Sequence, residues 1–178
     1  LQAGALPGSP IRGACGCSFA PYDLQNVHVI GYDVVSNRPK VAAYRAPGAP
    51  IGSYPVECVL DEIAEAIGMD PLELRLKNAA KEGTKLAYGP VLPRMGYVES
   101  LEAALAHDHY KAPLGPNQGR GVASGYWFNN AGESSATVQV TEDGNVVVVT
   151  GHPDIGGSRA SMANICAELL GIHYSKVK

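Results

Sequence analysis

Two short stretches of this chain combine residue types suited to holding an anion, and a third gathers aromatic residues beside amides. In Val41-Ala42-Ala43-Tyr44-Arg45-Ala46-Pro47-Gly48-Ala49-Pro50 a strand-like run ends in a loop that leads into an amphipathic segment. Two prolines fix φ and remove donors, while Gly48 permits a positive φ or a close backbone approach. Arg45 adds a permanent guanidinium at the lip, suited to an anion or a carboxylate. In Asp154-Ile155-Gly156-Gly157-Ser158-Arg159 two glycines stand where a strand gives way to a helix. A helix start exposes unpaired amides at the positive end of its dipole, and glycines let a phosphate approach them. Ser158 would add a hydroxyl and Arg159 charge. A plainer reading stays open, in which Ser158 caps the helix and the glycines only turn the chain. The stretch is neither a P-loop, which ends in Gly-Lys-Ser/Thr, nor a GxGxxG fingerprint. The third stretch, from Ser124 to Ser134, contains Tyr126, the only Trp (Trp127) and one of two Phe, and reads either as packing or as a pocket wall.

Other chemistry finds little support. Cys15-Gly16-Cys17 lacks the second pair or the histidines of a tetrahedral metal site, and four spaced ligands for an iron–sulfur cluster are missing. Cys58 and Cys166 fall on apolar helical faces, where a thiol serves as a small core residue. The five histidines are scattered, and His107-Asp108-His109 reads as a surface turn. Spacing alone supports no Ser/His/Asp set and does not make Glu133 a base. No residue is therefore assigned a catalytic role, and no metal is expected to be held directly by side chains.

These stretches need elements to position them. Alternation from Asn26 to Val35 predicts a strand, Asn37-Arg38-Pro39 a turn, and Lys40 to Tyr44 a second short strand. Val56, Val59, Leu60, Ile63, Ala64 and Ile67 form a one-sided helical stripe, with Glu57, Asp61, Glu62 and Glu65 on the polar face and Gly68 as its stop. Asp70-Pro71-Leu72-Glu73 is a helix start, with Asp70 as N-cap, and this helix should run to about Ala80. After an irregular crossing over 81–96, a helix is predicted from Tyr97 to His107 with Leu101, Ala104 and Leu105 inward. Pro113 and Pro116 mark a linker over 113–118. Ala136–Thr141 and Asn145–Thr150 flank Glu142-Asp143-Gly144, which predicts a hairpin with Gly144 at positive φ. Its second arm, apolar on both faces, predicts a covered central strand. A helix from Ser158 to Leu170 should stop at Gly171. Residues 1–20 read as a loop or helix remnant. The expected architecture is α+β, with mixed strands and helices in two lobes, 1–112 and 119–178.

Lys plus Arg number 14 against 17 Asp plus Glu, a net charge of −3, which gives no electrostatic reason to expect nucleic acid or an anionic membrane. No run approaches the length of a membrane span. Only 17% of the 178 residues are charged while 46% are apolar, lean in surface charge for a freestanding domain. With a start at Leu1-Gln2-Ala3-Gly4, this composition leads us to expect an internal segment of a larger cytoplasmic assembly.

The segment Gly31-Tyr32-Asp33-Val34-Val35-Ser36-Asn37-Arg38-Pro39-Lys40, continuing into Ala43 to Pro50, then Glu57, Asp61-Glu62 and Asp70-Pro71-Leu72-Glu73-Leu74-Arg75, resembles the molybdenum-binding subunit of the xanthine dehydrogenase and aldehyde oxidase family. The resemblance runs from about Pro21 to the C-terminus. It implies the end of one molybdopterin-binding domain over 1–112 and the start of the next over 119–178. It implies molybdopterin, or its cytosine dinucleotide form, carrying molybdenum, and oxidation of an aldehyde or N-heterocycle with water as the oxygen source. Iron–sulfur clusters and FAD would then reside on other domains or subunits, and this stretch alone would be inactive. By the same resemblance Arg45, Ala46 and Gly48 contact the cofactor, and Pro47, Tyr126 and Trp127 line the substrate pocket. Pro47 stands where relatives often carry a stacking aromatic, and Ala46 where the carbon monoxide dehydrogenase branch has a cysteine. Gly156, Gly157, Ser158 and Arg159 take the cofactor phosphate, with Gly157 and Ser158 replacing the last two residues of a Gly-Gln-Gly run. The alternative is a non-catalytic anion- or nucleotide-binding module built on the Gly156 loop.

Overall fold

The computed structural model describes residues 10–34, 36–37, 39, 44–128 and 132–178. Mixed α+β architecture is observed, in two compact units, 1–128 and 129–178. Residues 113–118 lie inside the first unit.

The first unit is helical: α1 (Ile11–Cys17), α2 (Ala49–Ile67), α3 (Pro71–Lys77), α4 (Tyr97–Ala106) and α5 (Asp108–Lys111). Residues 11–17, within the stretch read above as a loop or helix remnant, form a helix, as the second alternative had it. Its small face fits against the start of α2, which begins earlier than the apolar stripe implied. Gly48 caps α2 at φ 88°, Pro50 sits in the first turn where a missing amide is harmless, and Gly68 closes the helix at φ 65°. Asp70 caps α3, its carboxylate accepting from Leu72 N at 2.7 Å and Glu73 N at 3.1 Å.

Several expectations fail for tertiary reasons. No strand forms over 26–34: alternation needs a partner to become a ladder, and Ile30, Tyr32 and Val34 are exposed instead. The strand expected over 40–44 lies outside the described residues except for Tyr44, which joins no element. Helix α3 stops at Lys77, short of Ala80, because the following backbone pairs elsewhere: Asp23 N donates to Asn78 O and Ala80 N to Pro21 O, each at 2.8 Å. The apolar stripe of α2 is turned partly from the core, with Ala64 buried and Val56 and Leu60 half-buried. Val59, Ile63 and Ile67 are exposed, whereas Ala49, Gly52, Glu57 and Ala64 are buried. Small residues admit α1 there, and Glu57 leaves the polar face assigned to it. On α4, Leu101 is buried as expected while Ala104 is exposed. Leu72, Ala79 and Leu101 form one core cluster, and Ala20, Ala80, Leu86 and Leu92 another.

The second unit contains β1 (Ala136–Val140), β2 (Val146–Thr150), α6 (Ser158–Leu170) and a 3-10 turn at Tyr174–Lys176. The antiparallel register pairs Val138 with Val148, and Gly144 turns the hairpin at φ 76°. Val177 adds a parallel bridge to Val146, with Lys178 N donating to Val146 O at 2.8 Å and Val148 N to Lys178 O at 2.9 Å. Strand β2 is not covered as predicted: Val146 is buried, but Val149 is exposed. Backbone partners on both edges do not supply a layer over its face. Gly171 ends α6 at φ 66°, as its position implied.

Candidate functional site

Arg45, Ala46, Pro47 and Gly48 form one tight turn ahead of α2. Ala46 holds φ 55°, a left-handed conformation that costs a residue with a Cβ roughly 1–2 kcal/mol. The turn closes through Ala49 N donating to Ala46 O at 3.1 Å and Gly52 N to Gly48 O at 3.0 Å. Gly48 has no room for a side chain. A methyl there would stand 2.1 Å from Pro10 O, and one on Gly52 2.3 Å from Ala14 O. The permissiveness predicted for Gly48 is therefore used against α1. Arg45 is exposed, and among the described residues its guanidinium forms no ion pair.

Tyr126 and Trp127 belong to an aromatic cluster centred on Phe128. Ring centroids lie 5.3 Å from Trp127, 5.8 Å from Tyr126 and 5.6 Å from Tyr88, all edge-to-face. The Tyr126 and Tyr88 hydroxyls are 3.0 Å apart. Both the turn and this cluster rest on α1, the turn against Gly13 and the cluster against Gly16. The structure thus sets Pro47 and Phe128, the ring that Tyr126 and Trp127 pack on, against one small helix.

Behind them lies a buried polar network that sequence reasoning missed. Glu57 accepts from Tyr22 OH, from Arg75 Nε at 2.8 Å and from Ser124 N at 2.8 Å. Arg75, wholly buried, also donates to Pro71 O at 3.0 Å and lies 2.8 Å from Asp61 Oδ1, an ion pair outside hydrogen-bonding geometry. Burial opposes the Arg75 charge, but Glu57 and Asp61 outweigh it and raise its pKa. Burial, then Glu57, raises Tyr22 well above the ordinary tyrosine range. The available signal was the helical spacing of Glu57 from the small residue Ala64, seven positions on and nearly on the same face.

In the second unit, Gly156 and Gly157 hold φ 63° and 86° ahead of α6. Open space surrounds the position a Gly157 side chain would take. Ser158 Oγ donates to Pro153 O at 3.1 Å and accepts from Ile155 N at 3.0 Å. Asp154 Oδ1 accepts from Arg159 N at 3.1 Å, occupying a place that an incoming anion would use. Ser158 therefore braces the loop, and among the described residues the Arg159 guanidinium is free of ion pairs. Arg159 and Asp154 border a cleft of about 600 Å³ whose walls include Val148, Met162 and Tyr174. No group of three potential metal ligands occurs among the described residues, and no helix there is long and apolar enough to cross a membrane.

Comparison with known proteins bears on this geometry. A family model described as a molybdopterin cofactor-binding domain matches residues 3–79, and a second one so described matches 96–178. The chain belongs to the molybdopterin-binding part of the xanthine dehydrogenase and aldehyde oxidase family. It is 32% identical over 149 residues to an aldehyde oxidoreductase of Megalodesulfovibrio gigas, covering 77% of this chain and 16% of that relative. It is 31% identical over 189 residues to an aldehyde oxidoreductase molybdenum-binding subunit of Escherichia coli, covering 98% of this chain and 25% of the relative. Among solved structures, the aldehyde oxidoreductase of Desulfovibrio desulfuricans superposes with a TM-score of 0.63 at 30% identity, over 94% of this chain and 20% of that one. The chain thus spans a quarter or less of these relatives. Molybdopterin is the cofactor of this family, and its members are oxidoreductases.

The residues present suit such an anionic cofactor unevenly. Free guanidinium groups on Arg45 and Arg159 and open backbone at Gly157 fit it. The Ser158 hydroxyl, already bonded twice within its own loop, does not.

Proposed function

We propose that this chain supplies cofactor and substrate contacts to a molybdenum hydroxylase that oxidises an aldehyde or N-heterocycle with water as oxygen source. The observation that carries the reading is the Arg45 turn: a guanidinium without an ion pair among the described residues, beside a backbone held left-handed at Ala46, with an aromatic cluster against the same supporting helix. When bound, molybdopterin with its molybdenum, as such or as the cytosine dinucleotide, supplies two-electron oxidation of carbon. The chain's own residues bind and orient. Arg45 offers charge, the backbone of Ala46 and Gly48 offers polar groups in a fixed direction, and Pro47, Tyr126 and Trp127 exclude water from a planar substrate. In the second unit Gly156, Gly157 and Arg159 contact the cofactor phosphate, while Ser158 acts indirectly by holding the loop. Iron–sulfur clusters and FAD, the electron acceptors such chemistry would need, would lie on other domains or subunits.

The test is pterin retention in protein made by a host that synthesises the cofactor. Arg45→Ala lowers bound pterin, read as fluorescence after oxidative release; unchanged retention contradicts the reading. The free Arg159 guanidinium favours one rival, a non-catalytic phosphate- or nucleotide-binding module. That rival gains if inorganic phosphate raises the melting temperature while pterin is never retained.

A further inference from the structure

We propose that the exposed face of α2 is a docking surface for an amphipathic helix of a partner polypeptide, one whose apolar stripe is flanked by Lys or Arg. The inference does not depend on the cofactor reading. Ile51, Pro55, Val59, Ile63 and Ile67 recur every fourth residue and so form one continuous ridge along the helix. At 1.5 Å per residue that ridge is about 24 Å long. Its Ile and Val side chains are between 41% and 68% exposed, and Tyr54 in the neighbouring row is exposed as well. The opposite face of α2 is already in use, since Gly52 meets α1 and Glu57 meets Arg75. A bare apolar ridge of this length has the shape that the groove of another helix accepts.

Charge selects the occupant. Helix α2 carries Glu57, Asp61, Glu62 and Glu65 and no Lys or Arg. Arg75 engages Glu57 and Asp61, whereas Glu62 and Glu65, both exposed, form no ion pair among the described residues. Two free carboxylates beside an apolar ridge oppose an anionic lipid surface, which calls for a basic polar face. They also oppose a second copy of α2, because two such helices would bring like charges together. A partner helix with Lys or Arg beside its apolar stripe removes both objections. Pro55 adds a polar element to the same face. Having no N–H, it cannot return the usual helical hydrogen bond to Ile51 O, and a Lys ammonium or Arg guanidinium can supply the missing donor.

The experiment titrates the full chain into two fluorescent synthetic helices, one with a Leu stripe flanked by Lys and one with the same stripe flanked by Glu, and reads anisotropy. The chain should bind the Lys peptide ~10-fold more tightly than the Glu peptide. Glu62→Lys with Glu65→Lys should reverse that preference. Val59→Ser with Ile63→Ser should weaken the Lys peptide ~10-fold, with the circular dichroism of both variants unchanged because all four side chains are exposed. Equal binding of the two peptides, a preference that survives charge reversal, or unaltered affinity after loss of Val59 and Ile63 overturns the proposal. Light scattering and flotation with phosphatidylcholine–phosphatidylserine vesicles test the other occupants. A dimer, or vesicle binding, that Val59→Ser with Ile63→Ser abolishes gives this face to a second copy or to a membrane and overturns the partner helix.

Discussion

Glu57 ties three segments of the first unit together, since donors from Tyr22, Arg75 and Ser124 converge on it. Removing it leaves the fully buried Arg75 with only the more exposed Asp61 as an ion-pair partner. Glu57→Ala should therefore cost ~3–5 kcal/mol in urea unfolding, whereas the apolar pair Glu57→Leu with Arg75→Met should cost much less. A double variant as unstable as the single one would contradict this. These roles were only half visible in the sequence. Glu57 and Arg75 stood out as part of a family-like pattern, but an acidic residue on a helix reads by default as solvated, and an ion pair 18 residues apart becomes visible only once α2 and α3 pack. The positive φ at Gly48 was legible because loop chemistry is local, yet the crowding that requires glycine there comes from Pro10 and Ala14.

At the scale of elements, what was legible follows the same division. Helix ends set by adjacent residues came out as read: Gly68 and Gly171 in the left-handed region, Asp70 as a cap, Gly144 in the hairpin. Elements defined by distant partners did not. Helix α1, one of the two alternatives left open for residues 1–20, is fixed by its glycines fitting against the turn at 47–48, and the strand expected over 26–35 fails because no neighbour pairs with it in the described residues. The cap at Asp70 has a further duty that sequence did not show, accepting from Tyr110 OH at 2.8 and 2.9 Å and so tying α3 to α5. Asp70→Ala should lower stability by ~2 kcal/mol, combining a lost cap with a stranded hydroxyl. Asp70→Asn, which keeps an acceptor, should recover much of that loss in the same denaturant titration.

For the molecule as a whole, tyrosine burial predicts an alkaline limit. Burial and the Asp70 carboxylate push Tyr110 up to about 12, and burial with Glu57 pushes Tyr22 higher still. An unfolded tyrosine ionises near 10, so above that pH the unfolded chain sheds protons that the folded chain retains. Stability from these groups is complete below about pH 10 and drains away as pH rises through the folded values. Tyr22→Phe should flatten that decline in urea midpoints measured from pH 8 to 12, and an unaltered slope would refute the assignment. Cofactor binding decides the larger claim. Molybdenum per polypeptide, measured by elemental mass spectrometry on native-length protein from a host that makes the cofactor, tests it most directly. Near-stoichiometric molybdenum that falls in Arg45→Ala is the predicted result; molybdenum-free protein from that host would contradict the account and leave the fold in non-enzymatic use.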